Sequence, residues 1–525
     1  MGLYKILETT ARSQPDQLAS VCCGQKWTYK QLKERVDRLA AAFQSLGIKR
    51  KDRLAIVHTN CHIYLEAYFA AAGIGAILVP INYRLSPRDI SLILNDSGAK
   101  VLIAQDEFLS SELKNQAEFH SLKSIIVTGI PDKGLDPRDY LFYESLIEDP
   151  TAFRILDEFP QDSDFAQIYY TSGTTGNPKG VILTHGNNGR HAQEAVHEFN
   201  LSARDNWLHV SPMFHLADAW AVWAITMAAG THVIVPFFEC KTVLFAIQEH
   251  KVTLSNFIPT MLNLLVKDDR LEDYDLSSLR LVLSGGAPIA AEVVKQVMER
   301  IGCDYIQTYG LTETSPFLTI SKLRENMSGL SHEEKFRLKV TTGRPFSGVQ
   351  LKVIKADGSE AKADGKDVGE VIVRGETITP GYWSREEETS KRIVAGWLHT
   401  RDLAVVNDEG YITFVDRMDD VINTGGENVY SVEVENVLYA YPQVLEAAVI
   451  GLPDPVWGEK VMAVVVLKKD KKVEESDIIN HCREQLAHFK SPKKVIFTDS
   501  LPKTGSSKIF KFRLREQYCH LTVDE

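Results

Sequence analysis

Short apolar segments alternate with helix-like segments through the first two thirds of the chain, and this alternation restricts the fold more than any other feature. Strand candidates lie at residues 54–58, 101–104, 124–127, 232–235, 279–283 and 304–307. Strands that are separated by helices usually pair in parallel, because a parallel connection needs a crossover long enough to hold a helix. The sequence therefore predicts an α/β fold of mostly parallel sheets flanked by helices.

The pattern changes after about residue 350. Strand candidates at 351–354, 369–374 and 411–415 follow one another across Gly and Asp turns, without long helices between them. From Asp419 onward the pattern predicts helices at 431–440 and 474–487 and strands at 447–450, 461–467 and 495–497. A chain of 525 residues is also too long for one hydrophobic core. We expect a large N-terminal domain over residues 1–417, which includes a β-rich subdomain, and a small mobile α+β C-terminal domain over residues 418–525.

Charge and cysteine usage exclude several classes of protein. A formal net charge of −11 is unfavourable for general binding to nucleic acid or to an anionic membrane, because both need a positive surface. Residues 460–515 differ, with 14 Lys and Arg against 6 Asp and Glu, which suits either a solvated face or a polyphosphate ligand. The seven cysteines have no C-x-x-C spacing, so neither a zinc site nor a disulfide framework is predicted.

No segment has the pattern of a signal peptide or of a membrane span. The N-terminus lacks an apolar signal region, and the most apolar stretches, residues 67–80 and 219–238, are short or interrupted by polar residues. The last residues are not a peroxisomal or endoplasmic-reticulum address. We therefore expect a cytoplasmic protein.

The most informative segment is rich in hydroxyl groups and glycine. Residues 171–180 read Thr-Ser-Gly-Thr-Thr-Gly-Asn-Pro-Lys-Gly, directly after an apolar approach. Glycines let backbone N–H groups approach phosphate oxygens, hydroxyls add donors, and Lys179 adds a positive charge. No G-x-x-x-x-G-K-[ST] frame fits, so this is not a Walker A loop. The segment predicts a phosphate-binding loop, with a flexible surface loop as the alternative.

This loop resembles the signature loop of the adenylate-forming superfamily, which includes acyl-coenzyme A synthetases, 4-coumarate–CoA ligases, luciferases and amino-acid adenylation domains. Further motifs of that superfamily occur in the same order and at compatible spacing, so the resemblance covers essentially the whole chain. It implies that Thr175 lies near a Mg²⁺ ion. It also implies that ATP is bound by Thr171, Ser172, Gly173, Thr174, Thr175, Gly176 and Lys179.

Two further motifs resemble those that hold the adenine in this superfamily. The first is a turn after a strand, formed by Gly286, Ala287 and Pro288, although an ordinary strand–helix turn would look the same. The second resembles the Y-G-x-T-E motif, in which the tyrosine stacks on adenine and the threonine approaches the α-phosphate. It contains Gln307, Thr308, Tyr309, Gly310, Thr312 and Glu313. Glu313 would help to hold Mg²⁺, because a carboxylate beside a polyphosphate requires a cation between them.

Four charged residues are assigned by their register within longer motifs. Asp402 resembles the aspartate that accepts from both ribose hydroxyls, and Arg417 resembles the arginine that also meets the ribose. Asp419 would be the hinge between the domains. Lys508 resembles the C-terminal lysine that neutralises charge between the substrate carboxylate and the α-phosphate. The alternative for each residue is an ordinary surface charge.

The chain departs from the superfamily pattern at three positions. Arg401 stands where glycine is usual, Asp416 replaces the glycine before Arg417, and Ser507 replaces the glycine before Lys508. Each change removes flexibility or adds charge near a ligand, while the key side chains remain. We therefore predict an active enzyme with altered loop dynamics, with a weakly active relative as the alternative.

The resemblance implies a ligase that joins a carboxylic acid to the thiol of coenzyme A through an acyl-adenylate. Because like charges meet when the carboxylate attacks ATP, catalysis needs Mg²⁺, Lys179, Lys508 and backbone donors rather than a nucleophilic side chain. His215, in Pro-Met-Phe-His, resembles the gate between the acyl pocket and the thiol tunnel. Gly425 and Gly426 would lie along the pantetheine arm of coenzyme A.

Three other interpretations stay open. An amino-acid adenylating protein is disfavoured, because Leu216 stands where those proteins place an amine-binding aspartate and no carrier domain follows Lys508. Luciferase-like oxygenation and a catalytically retired nucleotide-binding protein are not distinguished by the motifs. The acid is not specified, although Ala219, Trp220, Trp223 and the segment 305–317 indicate a pocket for an apolar tail or ring.

Overall fold

A computed structural model describes residues 2–109, 113, 119–129, 140–148, 160–171, 178–287, 289–503 and 509–521. The chain divides into two compact units. The first contains Met1–Gln350 and Val373–Leu398, and the second contains Leu351–Ile372 and His399–Glu525. The predicted boundary after residue 417 falls within the second unit, and the division into residues 1–417 and 418–525 stays a prediction.

Helices alternate with strands through the first unit, as the sequence pattern predicts. The described helices of this unit are α1 (Leu3–Ser13), α2 (Tyr29–Ser45), α3 (His62–Gly73), α4 (Pro87–Ser97), α5 (Tyr143–Glu148), α6 (His185–Glu198), α7 (Leu216–Met227), α8 (Cys240–Glu249), α9 (Pro259–Val266), α10 (Ala291–Gln296), α11 (His332–Lys339) and α12 (Glu386–Arg392). Helix α2 begins at a capping box, in which the Thr28 hydroxyl accepts from the Gln31 N–H at 3.3 Å and the Gln31 side chain accepts from the Thr28 N–H at 2.8 Å.

The six predicted strands of the first unit all overlap strands that the structure describes. The described strands of this unit are β1 (Leu18–Cys22), β2 (Gln25–Thr28), β3 (Arg53–Val57), β4 (Ile77–Ile81), β5 (Ala99–Gln105), β6 (Ser124–Thr128), β7 (Leu141–Phe142), β8 (Phe165–Thr171), β9 (Lys179–Thr184), β10 (Asn206–His209), β11 (Thr231–Ile234), β12 (Leu254–Phe257), β13 (Leu281–Ser284), β14 (Asp304–Gly310), β15 (Phe317–Ile320) and β16 (Arg344–Pro345). Those that the predicted strands overlap are β3, β5, β6, β11, β13 and β14.

Two large sheets organise this unit. Within the described ranges, one sheet has nine strands in the order β16-β15-β14-β13-β12-β10-β11-β1-β2, and the other has seven in the order β7-β6-β5-β3-β4-β8-β9. The strands from β14 to β1 are parallel, as are those from β7 to β8, so the predicted parallel α/β fold is confirmed. Because parallel strands end at one edge, the segments that follow β13 and β14 lie side by side.

The β-rich region predicted after residue 350 is also present. Its strands are β17 (Val349–Ile354), β18 (Gly369–Gly375), β19 (Ile393–Val394), β20 (Trp397–Val406) and β21 (Ile412–Arg417). They form a sheet in the order β17-β18-β20-β19, with β21 paired to β20. The described residues between β17 and β18 contain no helix.

The remainder of the second unit is a small α+β fold. It contains strands β22 (Ile422–Thr424), β23 (Glu427–Val429), β24 (Val444–Asp454), β25 (Gly458–Leu467) and β26 (Lys494–Phe497), and helices α13 (Ser431–Ala440), α14 (Glu475–Gln485) and α15 (Lys511–Tyr518). The long antiparallel pair β24–β25 packs apolar side chains on both faces, and one of the two clusters includes Val434 and Ile478 from α13 and α14. The predicted helix and strand order is confirmed.

Candidate active site

The predicted phosphate loop connects the two strands of a hairpin. Strands β8 and β9 are antiparallel, and Thr171 pairs with Lys179 across the hairpin. Ser172, Gly173, Thr174, Thr175 and Gly176 lie outside the described residues. The Lys179 Nζ atom forms an ion pair with Glu388 Oε2 of α12 at 2.6 Å. The lysine that was assigned to phosphate therefore already has a carboxylate partner, which the sequence did not indicate.

The two adenine motifs lie next to each other at the ends of β13 and β14. Ser284 pairs with Gln307, and the Thr308 hydroxyl donates to the Ser284 carbonyl at 3.1 Å. A Cβ atom at Gly285 would lie 2.7 Å from the Thr308 carbonyl oxygen, so only glycine allows this approach. Gly286 then turns the chain with a φ of 88°, and Pro288 lies outside the described residues. The structure brings Gly286, Ala287 and the end of β14 to one edge of the sheet.

Glu313 is held in place by side-chain and main-chain contacts. It lies in a short 3-10 helix, Thr312–Thr314, and is 9% exposed. The Tyr382 hydroxyl donates to Glu313 Oε1 at 2.9 Å, and the Thr379 N–H donates to the Glu313 carbonyl at 2.8 Å. Burial and the neighbouring Glu313 charge raise the pKa of Tyr382, so the tyrosine stays protonated as the donor. The contact leaves one carboxylate oxygen of Glu313 for another partner.

The Glu313 carboxylate is of the type that a magnesium ion shared with a nucleotide uses. Mg²⁺ is usually bound by one or two carboxylates together with substrate phosphates and water, rather than by an all-protein cage. Glu313 supplies one such carboxylate, while Thr175, the other predicted ligand, lies outside the described residues. In the described part of the chain, no group of three or more His, Cys, Asp and Glu side chains is arranged to hold a metal.

His215 lies at the start of α7, where it is the N-cap residue. Its Nδ1 atom accepts from the Ala217 N–H at 3.2 Å, which fixes the ring against the helix start. The preceding turn is clamped by Asn60, whose Nδ2 donates to the Ser211 carbonyl at 2.9 Å and whose Oδ1 accepts from the Met213 N–H at 2.8 Å. Asn60 is 2% exposed.

Tyr68 connects this turn to the phosphate hairpin. Its hydroxyl donates to the Met213 carbonyl at 3.0 Å and is 2.7 Å from the hydroxyl of Tyr169 on β8. Neither Asn60 nor Tyr68 was found from the sequence. Tyr68 lies in an apolar helix and has the pattern of a core residue. Asn60 follows β3 closely, and a polar residue just after a parallel strand is an indication of a binding site that the sequence offered.

The aromatic residues predicted for the acyl pocket divide into two groups. Trp220 packs against Phe317, with ring centroids 5.1 Å apart, and His191 packs against Phe317 at 5.0 Å. Burial lowers the pKa of His191 to about 3, so this ring is neutral. Trp223 faces α3 instead and packs against Phe69 at 5.0 Å. The first group therefore gives an apolar, uncharged environment that joins the His215 helix to the segment after Glu313.

The ribose candidates are neighbours in the second unit. Asp402 on β20 pairs with Arg417 on β21, and Arg417 Nε is 3.5 Å from Asp402 Oδ1. Asp402 is buried, and its N–H donates to the Thr400 hydroxyl at 3.1 Å. The structure thus places one carboxylate and one guanidinium together on adjacent strands.

Two of the three departures have a structural reason. Arg401 adopts a φ of 61°, the conformation that glycine usually supplies, and its side chain forms an ion pair with Asp419. Asp416 is 1% exposed and accepts from the Ser431 hydroxyl at 2.8 Å and from the Ser431 N–H at the start of α13. Burial raises the pKa of Asp416. Ser507 and Lys508 lie outside the described residues.

Gly425 and Gly426 form the turn of the β22–β23 hairpin. Their φ values of 62° and 85° are left-handed, as a two-residue turn between Thr424 and Glu427 requires. A Cβ atom at Gly425 would lie 2.8 Å from the Trp457 ring. The main-chain carbonyl of Trp457 accepts from the Gly425 N–H at 2.7 Å. The hairpin alone therefore explains both glycines.

The basic character of residues 460–515 is partly neutralised by acidic residues. Several of its cations form ion pairs with carboxylates that lie before residue 460 in the chain. These pairs are Lys460–Asp454, Lys490–Glu433, Lys503–Glu446, Lys511–Glu435 and Arg515–Asp420. No helix among the described residues is long and apolar enough to cross a bilayer.

Comparison with known proteins agrees with this geometry. The family model of the AMP-binding enzymes matches residues 7–383, and the model of their C-terminal domain matches residues 433–508. The chain is 36% identical to a feruloyl-CoA synthase from an Amycolatopsis species over 97% of both chains. It is 33% identical to a peroxisomal benzoate–CoA ligase of Arabidopsis thaliana over 99% of this chain and 93% of that protein.

Solved structures show the same likeness. A crystal structure of an anthranilate CoA ligase in complex with anthranoyl-AMP superposes with a TM-score of 0.87 at 27% identity, covering 98% of this chain and 97% of the other. An o-succinylbenzoate CoA synthetase from Bacillus subtilis with its acyl-adenylate gives a TM-score of 0.85 at 29% identity, covering 97% of both chains. The chain belongs to the family of AMP-binding enzymes. Within that family it is an acid–thiol ligase, which forms an acyl-adenylate and then transfers the acyl group to a thiol.

Proposed function

We propose that this ligase activates an aromatic or fatty carboxylic acid with ATP and Mg²⁺, and that coenzyme A is the acceptor thiol. The observation that carries the choice of acid is the packing of Trp220, Phe317 and His191 between the segments of His215 and Glu313. These rings are buried, and the histidine is neutral, so the site favours an uncharged tail or ring. The feruloyl-CoA synthase and benzoate–CoA ligase among its relatives are consistent with such acids.

An amino-acid substrate fits the same region poorly. Leu216, which stands at the position of an amine-binding aspartate, is buried and apolar. Asp218 is the nearest carboxylate on α7, but it accepts from His209 Nδ1 at 2.6 Å and from Trp207 Nε1 at 3.2 Å in a fully buried network. An ammonium group would have to be desolvated beside these rings, while the Asp218 carboxylate is already held by His209 and Trp207, which is unfavourable.

In the first half-reaction an oxygen of the substrate carboxylate attacks the α-phosphorus of ATP, and the bond to the β-phosphate breaks to release pyrophosphate. We assign to Lys508 the neutralisation of the negative charge between the carboxylate and the α-phosphate. We assign to Lys179 the binding of the other phosphates of ATP. Lys179 would exchange Glu388 for the nucleotide, since both side chains of this half-buried ion pair still reach solvent. Glu313, oriented by Tyr382, would hold the ion that offsets the remaining phosphate charge.

In the second half-reaction the thiol sulfur attacks the acyl carbon and AMP leaves with the electron pair of the acyl–oxygen bond. We assign His215 to the gate between acyl group and thiol, because Asn60 and Tyr68 fix its turn. Gly425 and Gly426 are assigned to the pantetheine arm from the resemblance; the two turn residues have no side chains of their own, and the Trp457 ring packs against Gly425. Asp402 and Arg417 are assigned to the ribose.

The first half-reaction needs Lys508 beside the adenylate, and the second needs the thiol on the same face. We therefore propose that residues 418–525 rotate relative to residues 1–417 about Asp419. A hinge requires residues that absorb a change in φ and ψ. The 3-10 helix Met418–Asp420 connects β21 to β22, and in the described state Asp419 pairs with Arg401 while Asp420 pairs with Arg515. The Arg401–Asp419 pair is exposed, and such pairs are weak enough to exchange during a rotation.

The assignment of Lys508 is tested with a matched pair of variants. Lys508→Ala should slow acid-dependent pyrophosphate release by a factor of about 10²–10³, the usual loss when one preorganised charge donor is removed. Thioester formation from a supplied acyl-adenylate should survive. Lys503→Ala is the control, because this lysine of the same motif pairs with Glu446 at 2.6 Å. Equal loss in both half-reactions, or an equal effect of Lys503→Ala, would count against the assignment.

A further inference from the structure

A cysteine occupies an unusual position in the hairpin between β1 and β2. Cys22 pairs with Gln25, so the turn consists of Cys23 and Gly24, whose φ values are 49° and 80°. Such turns require two left-handed residues and are normally made by Asn-Gly or Gly-Gly. Cys23 therefore adopts a conformation that is unfavourable for its side chain, and the turn itself gives no reason for a cysteine.

The turn presents one thiol to solvent and keeps another behind it. Cys23 is exposed, whereas Cys22 is 2% exposed. The Cys22 thiol donates to the Cys23 sulfur, with the two Sγ atoms 3.8 Å apart. The start of α3 lies beside this pair, where the His62 ring stacks on Trp27 with centroids 4.5 Å apart.

The surroundings favour the thiolate form of Cys23. The hydrogen bond from Cys22, and then the nearby His62, lower the pKa of Cys23 to about 6, whereas the same hydrogen bond and burial raise the pKa of Cys22. The pair therefore combines an exposed thiol that ionises more readily than usual with a buried thiol that ionises less readily. An accessible thiolate with a second thiol in contact is the arrangement found at redox-reactive cysteines.

We propose that Cys23 is a site of oxidation by peroxides and that Cys22 is the thiol that resolves it. The Cys23 thiolate attacks one peroxide oxygen, the O–O bond breaks, and hydroxide leaves to be protonated to water, which gives a sulfenic acid at Cys23. The Cys22 thiol then loses its proton and attacks the Cys23 sulfur, so that the S–O bond breaks and the hydroxyl leaves as a second water. Two thiols and one peroxide become one disulfide and two waters.

The disulfide between Cys22 and Cys23 would form reversibly. Adjacent residues joined by a trans peptide have Cα atoms about 3.8 Å apart, below the range of about 4.4–6.8 Å that unstrained disulfides prefer. A strained, exposed disulfide is easily reduced by small thiols. The oxidised state should therefore form under peroxide and revert when a reductant is restored.

Peptide mapping of the full-length protein tests this proposal. Trypsin releases residues 13–26, a peptide that contains Cys22 and Cys23 as its only cysteines. After brief exposure of the folded protein to hydrogen peroxide, we expect this peptide to lose the mass of two hydrogens and to regain it with dithiothreitol. Cys22→Ser should stop at the sulfenic acid, which dimedone traps at Cys23.

Two comparisons make the result specific to the folded turn. Cys23→Asn preserves the turn, since Asn-Gly is favoured there, and should leave Cys22 unoxidised. Cys519, also exposed, is the internal control, and we expect it to react at least tenfold more slowly than Cys23 in the folded protein and at the same rate in urea. The proposal is overturned if Cys519 reacts as fast in the folded state, or if dimedone fails to label Cys23 in Cys22→Ser.

Discussion

Asn60 supports the turn that leads to His215, and its replacement by alanine should loosen that turn. The Asn60 amide makes two hydrogen bonds to main-chain groups of Ser211 and Met213, and both of these residues are fully buried. Alanine would leave one carbonyl and one N–H without a partner in a buried site, at a cost of about 1–3 kcal/mol for each group. We therefore expect the free energy of opening the turn to fall by about 2–6 kcal/mol.

Amide hydrogen exchange measures this change directly. Since about 1.4 kcal/mol corresponds to a factor of ten, the Met213 N–H should exchange at least about 30-fold faster in Asn60→Ala. Thioester formation should slow, while the KM for ATP should stay within about threefold, because the Asn60 side chain bonds to Ser211 and Met213 and not to Gly286 or Thr308, which are predicted to hold the adenine.

A surface asparagine provides the control for this experiment. Asn82 accepts from the Arg84 N–H at 2.9 Å in an exposed loop, so Asn82→Ala should change neither exchange at Met213 nor turnover. The reasoning is refuted if Met213 exchanges at the same rate in Asn60→Ala and wild type. It is also refuted if exchange rises equally throughout the chain, since that result would indicate a global loss of stability.

Three other predictions follow from the site and its surroundings. Glu313→Gln keeps an acceptor for Tyr382 but removes the carboxylate charge. The Mg²⁺ concentration for half-maximal pyrophosphate release should therefore rise at least about tenfold, while the free energy of unfolding stays the same. An unchanged Mg²⁺ titration would exclude a metal role. Asp419→Pro fixes φ near about −65°, so adenylation should stay within about tenfold while thioester production from preformed adenylate nearly disappears; parallel loss of both would make the residue structural. Burial lowers the pKa of His58 to about 4 and that of His191 to about 3. Below about pH 6.5 the unfolded state therefore binds more protons than the folded state, and each histidine should remove about 1.4 kcal/mol of stability per pH unit as pH falls toward 4. His191→Phe should make denaturant unfolding less dependent on pH across this range, and an unaltered slope would contradict the pKa shift.

The secondary structure could be predicted because its signals are local. The capping box at Thr28 and Gln31 begins α2, and the six strand candidates of the first unit all lie within or beside observed strands. Helix α13 has the predicted bounds, Ser431–Ala440. Alternating apolar segments and turn residues determine these elements through neighbours in sequence, so distant contacts were not needed.

The contacts that position the site could not be predicted, because each joins segments that are far apart in the chain. Tyr382 donates to Glu313, and Glu388 pairs with Lys179. Neither Tyr382 nor Glu388 belongs to a motif that the sequence analysis identified. The sequence identified Arg401 as a departure from the glycine pattern, but its pairing with Asp419 depends on how β20 and β21 are registered. Such partners follow from tertiary packing, which a single sequence does not specify.

The two half-reactions can be separated with purified enzyme, ATP, Mg²⁺ and a panel of aromatic and aliphatic carboxylic acids. Without coenzyme A, an accepted acid should yield one equivalent of acyl-AMP and one of pyrophosphate per enzyme in a single turnover. Addition of coenzyme A should then give the acyl thioester and AMP with continued turnover. Formation of ADP and phosphate, or the absence of acid-dependent pyrophosphate release across the whole panel, would contradict the assignment of this chain as an acid–thiol ligase that acts through an acyl-adenylate.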